Sequence, residues 1–282
     1  MTLNDERRDA NRDDKRAKPD TAQSRFGDLA SPLIEEATRH ASTLDKHSEP
    51  EELHKLRVAL RRLRTLFWAY RPLLDEDFDT RQRAVFKYLA TSAGSARDWD
   101  ILLELMKTLD VKGLDEPVKT RRASVLATSI ETIANADVKH VLWTGLKEAN
   151  QQLNTGRKRV PVERFAKKRI DAARGQLKKR IKRALRAKRS DYAAYHEVRK
   201  AGKKVRYLLE LFDADIKPKL RSKVKSLKRL QKRFGALNDV VASHELLSQG
   251  TLDVGGSETR HALRALDAEQ KQRFKAARKA IR

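Results

Sequence analysis

Residues 52–74 read ELHKLRVALRRLRTLFWAYRPLL, and the spacing within them decides the fold. At about 100° per residue, His54, Arg57, Arg61 and Arg64 fall within one helical arc of roughly 80°. Leu53, Leu56, Leu60, Leu63 and Phe67 occupy the neighbouring arc, so the cations flank the core-facing stripe instead of opposing it. Cations placed there line a groove between helices. The pattern recurs in HEVRKAGKKVRYLLELF, residues 196–212, where His196, Arg199, Lys203 and Arg206 repeat the same spacings 142 residues later. Leu56, Leu63 and Phe67 match Val198, Val205 and Leu209 in the same register. Further along, Leu89, Gly94 and Asp98 match Leu230, Gly235 and Asp239 at an offset of 141. Two copies of one helical unit follow, because generic amphipathic patterning does not hold polar residues in register.

The rest of the chain agrees. It has 282 residues, 11 glycines, 7 prolines and long stretches of 3.6-residue periodicity without strand-like alternation, which predicts an all-α protein. Residues 1–22 carry almost nothing apolar and are expected to form a disordered tail. Helices are expected over about 23–46, 51–71, 77–109, 116–134 and 138–154. The segment TGRKRVP, residues 155–161, combines Gly, Pro and charge without periodicity and reads as a connector. Helices over about 162–188, 191–214, 218–248 and 258–281 complete a second half. The expected architecture is two pseudo-symmetric helical bundles, residues 23–154 and 162–282, each of about four helices.

Charge bounds the function. Sixty-four Lys and Arg against 39 acidic residues give a net charge of +25, which implies a polyanionic partner: nucleic acid, an acidic membrane surface or a phosphate polymer. There is no cysteine, which excludes disulfides, thiol nucleophiles and cysteine-ligated metals. No stretch of about 18 apolar residues and no secretory leader is present, so a cytoplasmic protein without a membrane span is expected. The carboxylates are scattered and show no metal-ligand spacing, so neither a catalytic site nor a cofactor is expected.

The four blocks HxxRxxxRRLR, GxxRD, HxxRxxxKxxRY and LQxxxGxLND, in this order, resemble the CHAD domain, the conserved-histidine α-helical domain. That resemblance implies a pair of four-helix bundles and binding of inorganic polyphosphate in a basic groove. It places the binding positions on His54, Arg57, Arg61, Arg64, His196, Arg199, Lys203 and Arg206. Arg62 and Lys204 match the family motif too, but the wheel turns them about 80° away, and they rank lower. Many family members carry an attached triphosphate-tunnel domain; these helices leave it no room in this chain, so a coupled enzymatic role is not expected.

Further cations sit close enough to the apolar stripes to be candidate polyphosphate-binding positions of the groove. On the very basic helix after the connector, Lys167, Arg174, Lys178 and Lys182 lie nearest its apolar face; on the helix carrying LQxxxGxLND, Lys225, Lys228, Arg229 and Lys232 do so. Lys87 matches Lys228 across the repeat. Gly94 and Gly235 are expected to permit close helix contact, and Asp98 and Asp239 to orient arginines. Trp68, Trp99 and Trp143 have core spacing. The expected function is non-catalytic binding of inorganic polyphosphate, extending to association with polyphosphate granules. Sequence-independent nucleic-acid binding is the alternative; aromatic residues at 6% that do not interleave with the stripes count against it.

Overall fold

The computed structural model describes residues 20–45, 50–156, 159–188, 191–250, 252 and 256–282. Of the expected 1–22 tail, residues 1–19 lie outside the described residues. The described chain is all-helical. Its α-helices are α1 (Ala22–Ser42), α2 (Pro50–Tyr70), α3 (Glu76–Thr108), α4 (Asp115–Asn135), α5 (Val138–Thr155), α6 (Val162–Arg186), α7 (Tyr192–Leu211), the single turn α8 (Pro218–Arg221), α9 (Lys223–Ser248) and α10 (Gly256–Lys279).

Local chemistry sets the boundaries. Thr21 caps α1 by accepting from the Ser24 amide at 3.2 Å, and the Ser24 hydroxyl returns the favour to the Thr21 amide at 3.1 Å. Asp75, Asp137 and Asp191 cap α3, α5 and α7 with their carboxylates. Pro50 opens α2, followed by Glu51 and Glu52, where a fixed φ and negative charge both favour a helix start. Pro218 opens α8, and a turn at Ser222 splits the expected 218–248 helix into α8 and α9.

In the first half α1 packs on α2, α2 on α3 and α3 on α4; in the second, α6 packs on α7, α7 on α9 and α9 on α10. Helix α5 is additional and lies against α1. The halves meet through α2 with α7, α3 with α9 and α1 with α6. A short antiparallel bridge ties the starts of α1 and α6: the Ala22 amide donates to the Val160 carbonyl at 2.8 Å and the Val162 amide to the Asp20 carbonyl at 3.1 Å.

Both hydrophobic cores draw on both halves. The larger one contains an aromatic chain from Phe26 through Tyr70 (4.7 Å between ring centroids) to Phe165 (4.7 Å), with Phe212 at 6.4 Å from Tyr70. Tyr70 and Phe212 are separated by the 142-residue offset read from the sequence, and their rings meet. The smaller core joins Trp99, Leu102 and Met106 of α3 to Val240 and Leu247 of α9 and Leu266 of α10. With α2 against α7 and α3 against α9, the faces of these four helices beside the cores enclose a cleft.

Candidate anion-binding cleft

The cleft has a volume of about 610 Å³ and is walled by α2, α3, α7 and α9, with Arg273 of α10 at its edge. Of the stripes read from the sequence, it receives His54, Arg57 and Arg61 from α2 and Arg199, Lys203 and Arg206 from α7. Lys228 and Lys232 enter from α9. Arg97 of α3 is a further cation there, and the carboxylates present are Asp98, Glu104 and Asp239. Positive charge therefore dominates.

Arg57 is held by its neighbours. Arg57 Nη1 donates to the Gly94 carbonyl at 3.3 Å and lies 3.5 Å from Asp98 Oδ1. A Cβ on Gly94 would stand 2.5 Å from Arg57 Cζ, so the glycine makes room for this guanidinium. Gly235, its equivalent on α9, has no atom within 4 Å of where a Cβ would be and borders open space in the cleft. The expectation that both glycines permit close helix contact is thus corrected. The tight approach of α7 to α9 occurs at Gly202, where a Cβ would meet Leu230 at 3.2 Å and the Gln231 side chain donates Nε2 to the Gly202 carbonyl at 3.2 Å.

Mutual repulsion and burial leave their mark on protonation. Burial, and then Arg57 and Arg199, pull the Arg61 guanidinium down to about 10. Burial, and then Arg199, Arg61 and Arg57, pull the Lys203 ammonium down to about 6. Arg199 is lowered by burial, with Asp239 opposing the shift. Burial raises Asp239, and Arg199 opposes that shift as well. His54 is lowered by burial and then by Arg97, Arg57 and Arg61. These shifts describe a site short of negative charge, in which an arriving anion would neutralise cations already held together.

His196 stands behind the cleft wall. The Tyr192 hydroxyl donates to Asn238 Oδ1 at 2.8 Å, which leaves the His196 Nδ1, 3.1 Å away, to donate to the phenolic oxygen. Burial and then Lys200 and Arg199 lower the imidazole. Through the Tyr192 hydroxyl it connects to Asn238, which does line the cleft.

The other predicted positions lie elsewhere. Arg64 turns toward Arg83 and Lys204. Lys87 and Lys167 are exposed on α3 and α6 and do not line the cleft. Arg174, Lys178 and Lys182 edge a separate, mainly apolar cavity of about 400 Å³ floored by Leu177, Ile181, Val205, Leu209 and Leu227. On α9, Lys228, Gln231, Lys232 and Gly235 share the cleft face, whereas Arg229 is turned about 100° from Lys228 and Lys225 lies before the wall begins. Arg62 pairs with Glu36 at 3.8 Å and Lys55 with Glu52 at 3.0 Å, so both face away from the cleft. Core spacing describes Trp99, buried in the smaller core, and Trp68, half-buried against the larger core with two cations over its ring, whereas Trp143 is 37% exposed. The sequence reading missed Arg97, Gln231, Asn238 and Arg273. The GxxRD block held the signal for Arg97, and LQxxxGxLND held it for Gln231 and Asn238. Arg273 lies in no repeated block.

Fold and site together define an all-helical protein with a cleft lined mainly by cations. The chain belongs to the CHAD domain family, whose profile matches residues 29–248. The fold is similar to the crystal structure of the CHAD domain from the plant Ricinus communis, with a TM-score of 0.78 at 23% identity over 93% of this chain and 92% of that one. It is also similar to PptA from Streptomyces chartreusis, with a TM-score of 0.67 at 15% identity over 93% of this chain and 98% of that one. No curated protein matches the sequence. Among the described residues, no helix is long and apolar enough to cross a membrane, and no group of three His, Asp or Glu is placed to hold a metal ion.

Proposed function

We propose that the protein binds inorganic polyphosphate in the cleft without transforming it, each half of the chain, residues 23–154 and 162–282, supplying one wall. The observation carrying this reading is that two stripes far apart in sequence, His54, Arg57 and Arg61 with Arg199, Lys203 and Arg206, line one cavity. Polyphosphate presents roughly one charge per phosphate on a flexible chain, and facing rows of guanidinium forks and ammonium groups suit it. Membership of the CHAD family supports the same ligand, as does a cleft wall without aromatic rings among the described residues for a nucleobase to stack on. Association with polyphosphate granules in the cytoplasm would follow from such binding.

Isothermal titration calorimetry with polyphosphate of medium chain length tests it. Saturable binding at moderate salt is expected, and no heat of binding would refute the proposal. A competition with duplex DNA at equal phosphate concentration separates the nucleic-acid reading, which requires displacement of the polymer. Incubation with polyphosphate and a divalent metal, followed by chain-length analysis, is expected to leave the polymer unshortened.

A further inference from the structure

Trp68 lies one helical turn beyond Arg64 on α2, half-buried, with a cation from a different helix on each of two contacts. The Arg169 Cζ of α6 is 4.3 Å from the ring centroid and the Lys204 Nζ of α7 is 4.2 Å from it. Arg169 is further fixed by donating Nη2 to the Trp68 carbonyl at 2.8 Å, while its Nε is buried without a hydrogen-bond partner among the described residues. Arg180, Arg64, Arg169 and Arg83 all repel Lys204, which burial first and these neighbours next bring down to about 8.

The charge balance here is one-sided. Asp79 neutralises Arg83 at 2.8 Å and Glu197 meets Arg180 at 3.3 Å. Among the described residues no carboxylate forms an ion pair with Arg64, Arg169 or Lys204, whereas most of the surrounding arginines have one. The repeat makes the difference plain. Across the 142-residue offset, Trp68 corresponds to Glu210, which bridges Arg206 at 3.3 Å. The chain therefore places an acid beside Arg206 but an aromatic ring beside Arg64. The ring holds two cations in place through its negative face without cancelling their charge.

We propose that Arg64, Arg169 and Lys204, arranged around Trp68, form a second anion site that takes a phosphoryl group. Donors converging from α2, α6 and α7 suit a tetrahedral oxyanion better than a planar carboxylate. The site is separate from the cleft: adjacent Lys203 and Lys204 leave α7 about 100° apart, one toward each. It shares with the proposed function the chemistry of the ligand but none of the cleft residues.

The test uses Trp68 as its own reporter. In the full chain carrying Trp99→Phe and Trp143→Phe, Trp68 emission is titrated with tripolyphosphate. A saturable emission change is expected. It should persist when Arg57→Glu and Arg199→Glu disable the cleft, and its midpoint should rise at least tenfold with Lys204→Met and Arg169→Met, which keep aliphatic stems over the ring. No emission change, or one abolished by the cleft substitutions, overturns the second site. Because Trp99 is a core residue, calorimetry on the native chain provides the same decision without it. Two tripolyphosphates per chain, falling to one with Lys204→Met and Arg169→Met, support the site; one per chain, unaltered by those substitutions, overturns it. Loss of that single remaining site on cleft substitution would leave the proposed function standing, whereas no binding at all would refute both.

Discussion

The Arg57 guanidinium lies directly against Gly94, with Nη1 donating to the glycine carbonyl at 3.3 Å and Cζ 2.5 Å from where a Cβ would be. The corresponding glycine on α9, Gly235, touches nothing within 4 Å. One sequence motif thus serves two different physical needs. Gly94→Ala is expected to dislodge Arg57 and weaken polyphosphate binding about tenfold, the loss of one charge-assisted contact of about 1.5 kcal/mol. Gly235→Ala should leave binding nearly unchanged and add up to about 1 kcal/mol of helix stability. Calorimetric titration and urea unfolding of the two variants measure both effects.

Lys203 links binding to protons. The folded, unliganded protein holds its ammonium near 6, through burial and then Arg199, Arg61 and Arg57. An unfolded chain restores the ordinary lysine value of about 10.4 and so binds more protons between those limits. Stability of the unliganded protein should accordingly rise with pH through that window, and this part of the dependence should vanish in Lys203→Met. Bound polyphosphate opposes the same shift, so binding at pH 8 should take up a proton at this site and strengthen as pH falls. Calorimetry in buffers of different ionisation enthalpy counts that proton, and an equal count in Lys203→Met would contradict the assignment.

Asp239 brings negative charge into the cleft beside Arg199, and burial already disfavours its ionised form. Asp239→Asn removes a carboxylate that repels the polymer. An increase in affinity of about fivefold is expected at low ionic strength, roughly 1 kcal/mol, and should shrink as salt rises. Titrations at two salt concentrations check it.

Tyr70 is fully buried between Phe26, Phe165 and Phe212, yet among the described residues its hydroxyl has no hydrogen-bond partner. Tyr70→Phe keeps the ring and removes the stranded polar group, so stability should rise by about 1 kcal/mol. Tyr70→Ala should cost about 3–5 kcal/mol through the cavity it opens. Urea denaturation followed by circular dichroism distinguishes them.

Much of this protein is already determined by its sequence. Helix class and most boundaries follow from local periodicity and capping residues, which act over one or two turns. The register of the His54 and His196 stripes beside apolar seams likewise placed Arg57, Arg61, Arg199 and Lys203 at a groove, because an angle on a helix wheel depends only on spacing. What spacing leaves open is which neighbouring helix a flank meets. Arg174, Lys178 and Lys182 lie beside an apolar stripe just as Lys228 does, but α6 turns them to a separate cavity and α9 turns Lys228 into the cleft. Gly94 and Gly235 are equivalent in sequence and differ because only one has an arginine across from it. Arg273 reaches the cleft edge through the packing of α10 on α9, and Trp68 collects Arg169 and Lys204 from more than 100 positions away. Those meetings depend on how α10 lies on α9, α2 on α7 and α6 on α7, and the tertiary structure alone decides them.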